Sequence, residues 1–99
     1  MRLDYERSGG FAGLRFTATV DTASLPAAEA AALREMVERA KFFDLPAVIP
    51  TLTPGADRFV YKLTVEVEGR RQAVEAGESA IPDALRPLIE QLQRMARRA

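Results

Sequence analysis

The sequence predicts an α+β fold in the order ββαββα: a four-stranded, mainly antiparallel sheet with two helices packed on one face. Three observations lead there. Residues 2–7, 14–20 and 59–67 alternate apolar and polar side chains, the two-residue period of a half-buried strand. Two other stretches, one between Ser24 and Asp44 and one from about residue 86, space their apolar residues by three and four, as an amphipathic helix does. Breaks rich in Gly or Pro separate these stretches. The chain of 99 residues suits one domain spanning 1–99, and at this size about two-thirds of the unfolded surface is buried on folding.

The first strand, RLDYER, turns Leu3 and Tyr5 to one face. The stretch RSGGFAGL then carries three glycines around Phe11. It reads as a hairpin connection longer than the two-residue ideal, with an irregular or bulged tip. A large ring at such a tip either folds back on the core or is displayed to a partner. In the second strand Leu14, Phe16, Ala18 and Val20 share a face opposite Arg15, Thr17 and Thr19.

Ser24 is placed as the N-cap of the first helix, with Pro26 in its first turn, where a missing N–H is harmless. Leu33, Met36, Val37, Ala40 and Phe43 form the apolar stripe, and Glu35–Arg39 and Glu38–Lys41 are favourably ordered surface pairs. The helix is expected to stop near Asp44, because the residue before Pro46 resists helical geometry. PAVIPTLTPGAD, 46–57, follows as an irregular loop.

In the third strand Phe59, Tyr61, Leu63, Val65 and Val67 alternate with Val60, Lys62, Thr64 and Glu66. A two-residue turn at Glu68-Gly69 sets Leu63 opposite Val74 and Tyr61 opposite Ala76, a register that keeps apolar side chains together. A tight turn over 82–85 and a helix from about 86 follow from Pro87, which cannot sit deep inside a helix. Leu85, Leu88, Ile89, Leu92 and Met95 make its apolar stripe. Arg94, Arg97 and Arg98 gather at its end, where cations favour the helix dipole.

Connectivity brings the loops together. With the first helix running back across the sheet, segments 8–13, 46–57 and 77–82 share one end. Phe11, Ile49, Leu52 and Ile81 are the apolar residues there. Ile49 and Ile81 are read as caps on the core, Leu52 as exposed, and Phe11 is left open between the two. Loops held by a rigid scaffold, with apolar residues projecting, describe a protein-binding surface.

The chemistry available is narrow. The chain has no His and no Cys, and its 14 basic residues balance 14 acidic ones. Zinc ligands of the usual kind, thiol nucleophiles and histidine general bases are therefore lacking. Zero net charge offers no field for nucleic acid or acidic membranes. SGGFAG is neither a phosphate-binding loop nor a dinucleotide fingerprint, since a strand follows it. Asp4 and Glu6 read as solvated carboxylates on a strand's polar face, and Asp21 as support for a helix start. No catalytic residue, metal ligand or cofactor is assigned. No apolar run approaches the roughly eighteen residues of a membrane span, and MRLDYERSGG lacks the apolar stretch of a signal peptide. A cytoplasmic protein, monomeric by default, is expected.

Taken in order, ERSGGFAGLR, DTASLP, FFDLP, DRFVYKLTVE and IPDALRPLIEQL resemble the emfourin family over nearly the whole chain. That resemblance implies a bacterial inhibitor of protealysin, a thermolysin-like zinc metallopeptidase. Such peptidases favour a large apolar residue just after the scissile bond, which Phe11 or Leu52 would supply while the loops plug the cleft sterically. The candidate partner-binding residues are Ser8, Gly9, Gly10, Phe11 and Ala12 from the first turn. Ile49, Thr51, Leu52 and Thr53 join them from the long loop. The alternative is a binding adaptor or subunit without inhibitory action, docking through a helix or a sheet edge; a small-molecule enzyme stands third.

Overall fold

Leu3 and Tyr5 stand at the middle of the core because the strand that carries them, β1 (Arg2–Gly9), is the middle strand of the sheet. The computed structural model describes residues 1–10, 13–51 and 58–98. The other elements are β2 (Leu14–Asp21), α1 (Ala27–Arg39), β3 (Phe59–Val67), β4 (Arg70–Gly77), α2 (Arg86–Met95) and β5 (Arg97–Arg98). Short 3-10 turns at Thr22–Ser24, Phe42–Asp44 and Asp83–Leu85 join them. The strands run in the order β4-β3-β1-β2-β5, each antiparallel to its neighbour.

The expected four-stranded sheet thus has a fifth strand. After α2 the chain becomes extended at Ala96, and Arg97 and Arg98 pair with Thr17 and Phe16. This short strand occupies part of the β2 edge, whose backbone groups would otherwise lack protein partners. Of the three arginines expected at the helix end, Arg94 stands in its last turn, and Arg97 and Arg98 belong instead to the sheet.

The two expected hairpins form. Between β3 and β4, Leu63 faces Val74 and Tyr61 faces Ala76. Glu68 and Gly69 both have positive φ, 50° and 78°, the backbone of a two-residue turn whose twist matches the strands. Side chains then sort by face. On the inner face Val74, Leu63, Tyr5 and Ala18 form one row across the sheet, and Val65, Leu3 and Val20 the next. All of these are buried, under Leu33 and Val37 of α1 and Leu88, Ile89 and Leu92 of α2. The outer face is polar: Thr19 donates to Asp4 at 3.0 Å, Arg2 reaches Asp4 at 3.4 Å, and Arg15 lies 4.0 Å from Glu6.

The start of α1 differs from expectation. Pro26, not Ser24, is the N-cap, and the helix begins at Ala27. Leu25, the residue before proline, is driven to an extended conformation (φ −103°, ψ 156°), so the chain at Ser24 cannot run straight into the helix. Asp21 caps the preceding 3-10 turn instead, accepting from the Ala23 N–H at 3.0 Å. The helix also stops early, at Arg39. Lys41 takes the left-handed conformation (φ 49°), which swings Phe42 into the core at 1% exposure. The Glu35–Arg39 ion pair is present at 2.5 Å but exposed, so it adds little. Lys41 has left the helix, which removes the helical frame of the expected Glu38–Lys41 pair.

The route of α1 is the main correction. The helix ends at the far end of the sheet, beside the β3–β4 turn, where the Arg70 guanidinium lies 4.2 Å from the centre of the Phe43 ring. Nearby, the Gln72 side chain donates to the Leu45 carbonyl at 2.6 Å. The return is made by the next segment, running parallel to β4. Glu75 donates its N–H to the Ala47 carbonyl at 2.8 Å, and its own carbonyl accepts from Ile49 at 2.9 Å. The described part of this stretch, 46–51, therefore runs beside β4 through one parallel bridge at Val48.

Candidate functional site

The end of the sheet holding the β1–β2 connection, opposite Glu68-Gly69, is where the separated segments meet. β1 finishes there at Gly9, paired with Leu14 of β2 and Phe59 of β3. Gly10 donates its N–H to the Arg58 carbonyl at 2.9 Å. Arg58 in turn donates its N–H to the Glu78 carboxylate at 2.9 Å, and Glu78 donates its own to the Phe59 carbonyl at 3.1 Å. One short relay of hydrogen bonds thus ties the β1–β2 turn, the last residue before β3 and the segment after β4.

The glycines of the turn are dictated by this closeness. A β-carbon on Gly9, whose φ is 126°, would stand 2.1 Å from the Arg58 carbonyl oxygen, so only glycine lets the two strands close here. Gly10 has φ 80° and passes over Phe59: its would-be β-carbon is 3.4 Å from the ring.

The expected site residues divide as follows. Ser8 is half-buried on the outer face of β1, between Arg15 and Val60; Gly9 and Gly10 are at the junction. Ile49 is half-buried and packs against the core from the segment beside β4, and Thr51 is half-buried two residues further on. Ile81 is a core residue, 8% exposed. Phe11, Ala12, Leu52 and Thr53 lie outside the described residues.

A second group at this end was not singled out by the sequence. On the inner face beyond Tyr5, the row across the sheet is Arg98, Phe16, Arg7 and Tyr61. Phe16, Arg7 and Tyr61 are half-buried, with Phe59 half-buried beside them. The signal was available: alternation that turns Leu3 and Tyr5 inward also turns Arg7 inward. Tyr5, just below, is buried and donates its hydroxyl to the Gln93 side-chain carbonyl. Burial, with Tyr61 nearby, raises its pKa well above the ordinary 10.0 despite the opposing Arg7 charge. Among the described residues no group of three or more Asp, Glu, His or Cys is placed to hold a metal ion. No helix there is long and apolar enough to cross a membrane.

The sequence profile of the emfourin family matches residues 5–93. The chain belongs to the emfourin family. No curated protein and no solved structure matches it significantly. The emfourins are an inhibitor family, so membership brings a coarse functional class, peptidase inhibition at the family level, with a protein as partner. The match takes in β1 from Tyr5 onward, the Gly10, Arg58 and Glu78 positions of the junction, and most of α2, while Arg97 and Arg98 of β5 lie beyond it.

Proposed function

We propose that this chain inhibits a thermolysin-like, protealysin-type zinc metallopeptidase by wedging the junction end of its sheet into the active-site cleft. The observation that carries the reading is the Gly10–Arg58–Glu78 relay, which anchors the bases of the connecting loops to one rigid end. Membership in an inhibitor family supplies the partner class. An inhibitor needs no catalytic residues, which fits a chain without His or Cys. Loops whose ends are pinned lose less conformational freedom on binding and resist being threaded as substrate. The mechanism is steric. Phe11 or Leu52 is the apolar anchor for the pocket that follows the scissile bond, and neighbouring backbone groups hydrogen-bond along the cleft. The chain acts in the cytoplasm.

The test is a titration of a thermolysin-like peptidase with the purified chain, following peptide cleavage. Stoichiometric loss of activity is expected. Phe11→Ala or Leu52→Ala should weaken inhibition by more than about 1 kcal/mol with the fold intact. Unchanged inhibition constants for both variants would remove the anchor mechanism. A complex that forms without loss of cleavage would instead identify a binding adaptor.

A further inference from the structure

Among the described residues of the junction end, Arg7 is a cation without an ion pair. Arg7 points to the inner face of β1, and its guanidinium carbon lies 4.7 Å from the centre of the Phe16 ring and 4.6 Å from that of Phe59. An arginine clamped between two aromatic rings is ordered before any partner arrives. Its Nε is buried and has no hydrogen-bond partner among the described residues, and Arg7 forms no ion pair there. The carboxylates described at this end are engaged elsewhere. Glu6 faces Arg15 on the outer face at 4.0 Å, and Glu78 accepts from the Arg58 backbone at 2.9 Å.

The surroundings deepen the positive field. Arg98 stands next to Phe16 in the same row as Arg7, Arg97 precedes it, and Arg58 leads into β3. We propose that Arg7 receives a carboxylate of the bound protein, an Asp or Glu side chain that lies on the inner face of the sheet against Phe16, Phe59 and Tyr61. The guanidinium fork matches a carboxylate with two parallel N–H···O bonds, which a lysine cannot reproduce. The aromatic flanks exclude water from that pair and so strengthen it. Arginine set among half-buried aromatic rings is also the composition of energetic centres in protein interfaces.

This inference rests on the inhibitor reading and adds to it: the rim of the target's cleft presents an acidic residue to this face. Arg7→Met keeps the long stem and its contact with both rings while removing the charge; Arg7→Lys keeps the charge without the fork. Inhibition of a thermolysin-like peptidase is measured for the wild type and both variants at about 50 and 500 mM salt, with thermal melting alongside. The expected result is a rise of at least about tenfold in the inhibition constant for R7M, an intermediate rise for R7K, and a shallower salt dependence for R7M than for the wild type. Melting temperatures should stay close together. An R7M variant that inhibits as well as the wild type overturns the proposal. If R7M fails to fold, the wild type decides: an inhibition constant unmoved by salt overturns the proposal, and a severalfold rise supports it. A wild-type chain that inhibits no such peptidase overturns the inhibitor reading and this inference with it, whereas inhibition shared by R7M overturns this inference alone.

Discussion

The carbonyl oxygen of Arg58 stands 2.1 Å from where a β-carbon on Gly9 would be, and the same carbonyl accepts the N–H of Gly10 at 2.9 Å. Close approach and hydrogen bond are two aspects of one contact. Gly9→Ala adds backbone strain at φ 126° and forces β1 and β3 apart at the junction. It should cost about 1–3 kcal/mol of stability, seen as a lower midpoint in chemical denaturation. The variant should also be a weaker inhibitor, because the turn loses its tether. A midpoint equal to the wild type's would show that the strand ends separate without penalty.

Tyr5 joins the sheet to α2 through its hydroxyl, which donates to the Gln93 side-chain carbonyl. Tyr5→Phe keeps the ring and leaves the Gln93 oxygen unsatisfied, and should cost about 1 kcal/mol near neutral pH.

The same hydroxyl sets a pH dependence. Its folded pKa is raised, mainly by burial, above the ordinary 10.0. Below pH 10 the tyrosine keeps its proton in both folded and unfolded chains, and its contribution is fully present. As pH rises past 10 the unfolded chain ionises first, so that contribution is lost. Denaturation midpoints measured between pH 9 and pH 11 should fall more steeply for the wild type than for Y5F; parallel curves would contradict this.

Phe42 is 1% exposed and lies among the largest side chains of the core, although it sits outside either helix. Phe42→Ala leaves a cavity that backbone relaxation cannot fill, at a cost of about 3–5 kcal/mol. Ala substitution of the exposed Lys41 next to it meets a different constraint, because Lys41 is left-handed.

Lys41 and Glu68 are the two described non-glycine residues with positive φ, 49° and 50°. Each carries a β-carbon where the conformation disfavours one. Lys41→Gly should stabilise the chain by about 1 kcal/mol, and Glu68→Asn by about half that, since asparagine suits the first position of this turn. Thermal melting checks both, and a decrease for either would mean its side chain makes contacts that outweigh the strain.

The amino-acid pattern alone determined the elements whose partners are close in sequence. The β3–β4 register was legible because a two-residue turn leaves only one pairing that brings Leu63 against Val74. The start of α2 was legible because Pro87 can stand only in a first turn. The meeting of the β1–β2 turn with the segment after β4 was expected from a first helix that returns across the sheet; the Gly10–Arg58–Glu78 relay makes the meeting, but the segment beside β4 and not the helix makes the return. Phe11 and Leu52, on which the anchor mechanism depends, lie outside the described residues.

Only the tertiary structure decided what depends on residues distant in sequence. Nothing local marks Arg97 and Arg98 as a strand; the open edge of β2 makes them one. The periodicity of α1 gives its buried face but not its direction. That direction is set by Phe42 and Phe43, which dock at the far end and leave the 46–49 segment to travel back along β4. Arg7 reads as one more charge on a strand until β2 and β3 bring Phe16 and Phe59 to either side of it. Local patterns fix which face of an element turns inward, because burial repeats with the backbone's own period. Which elements meet is fixed by packing and hydrogen bonding across the whole chain.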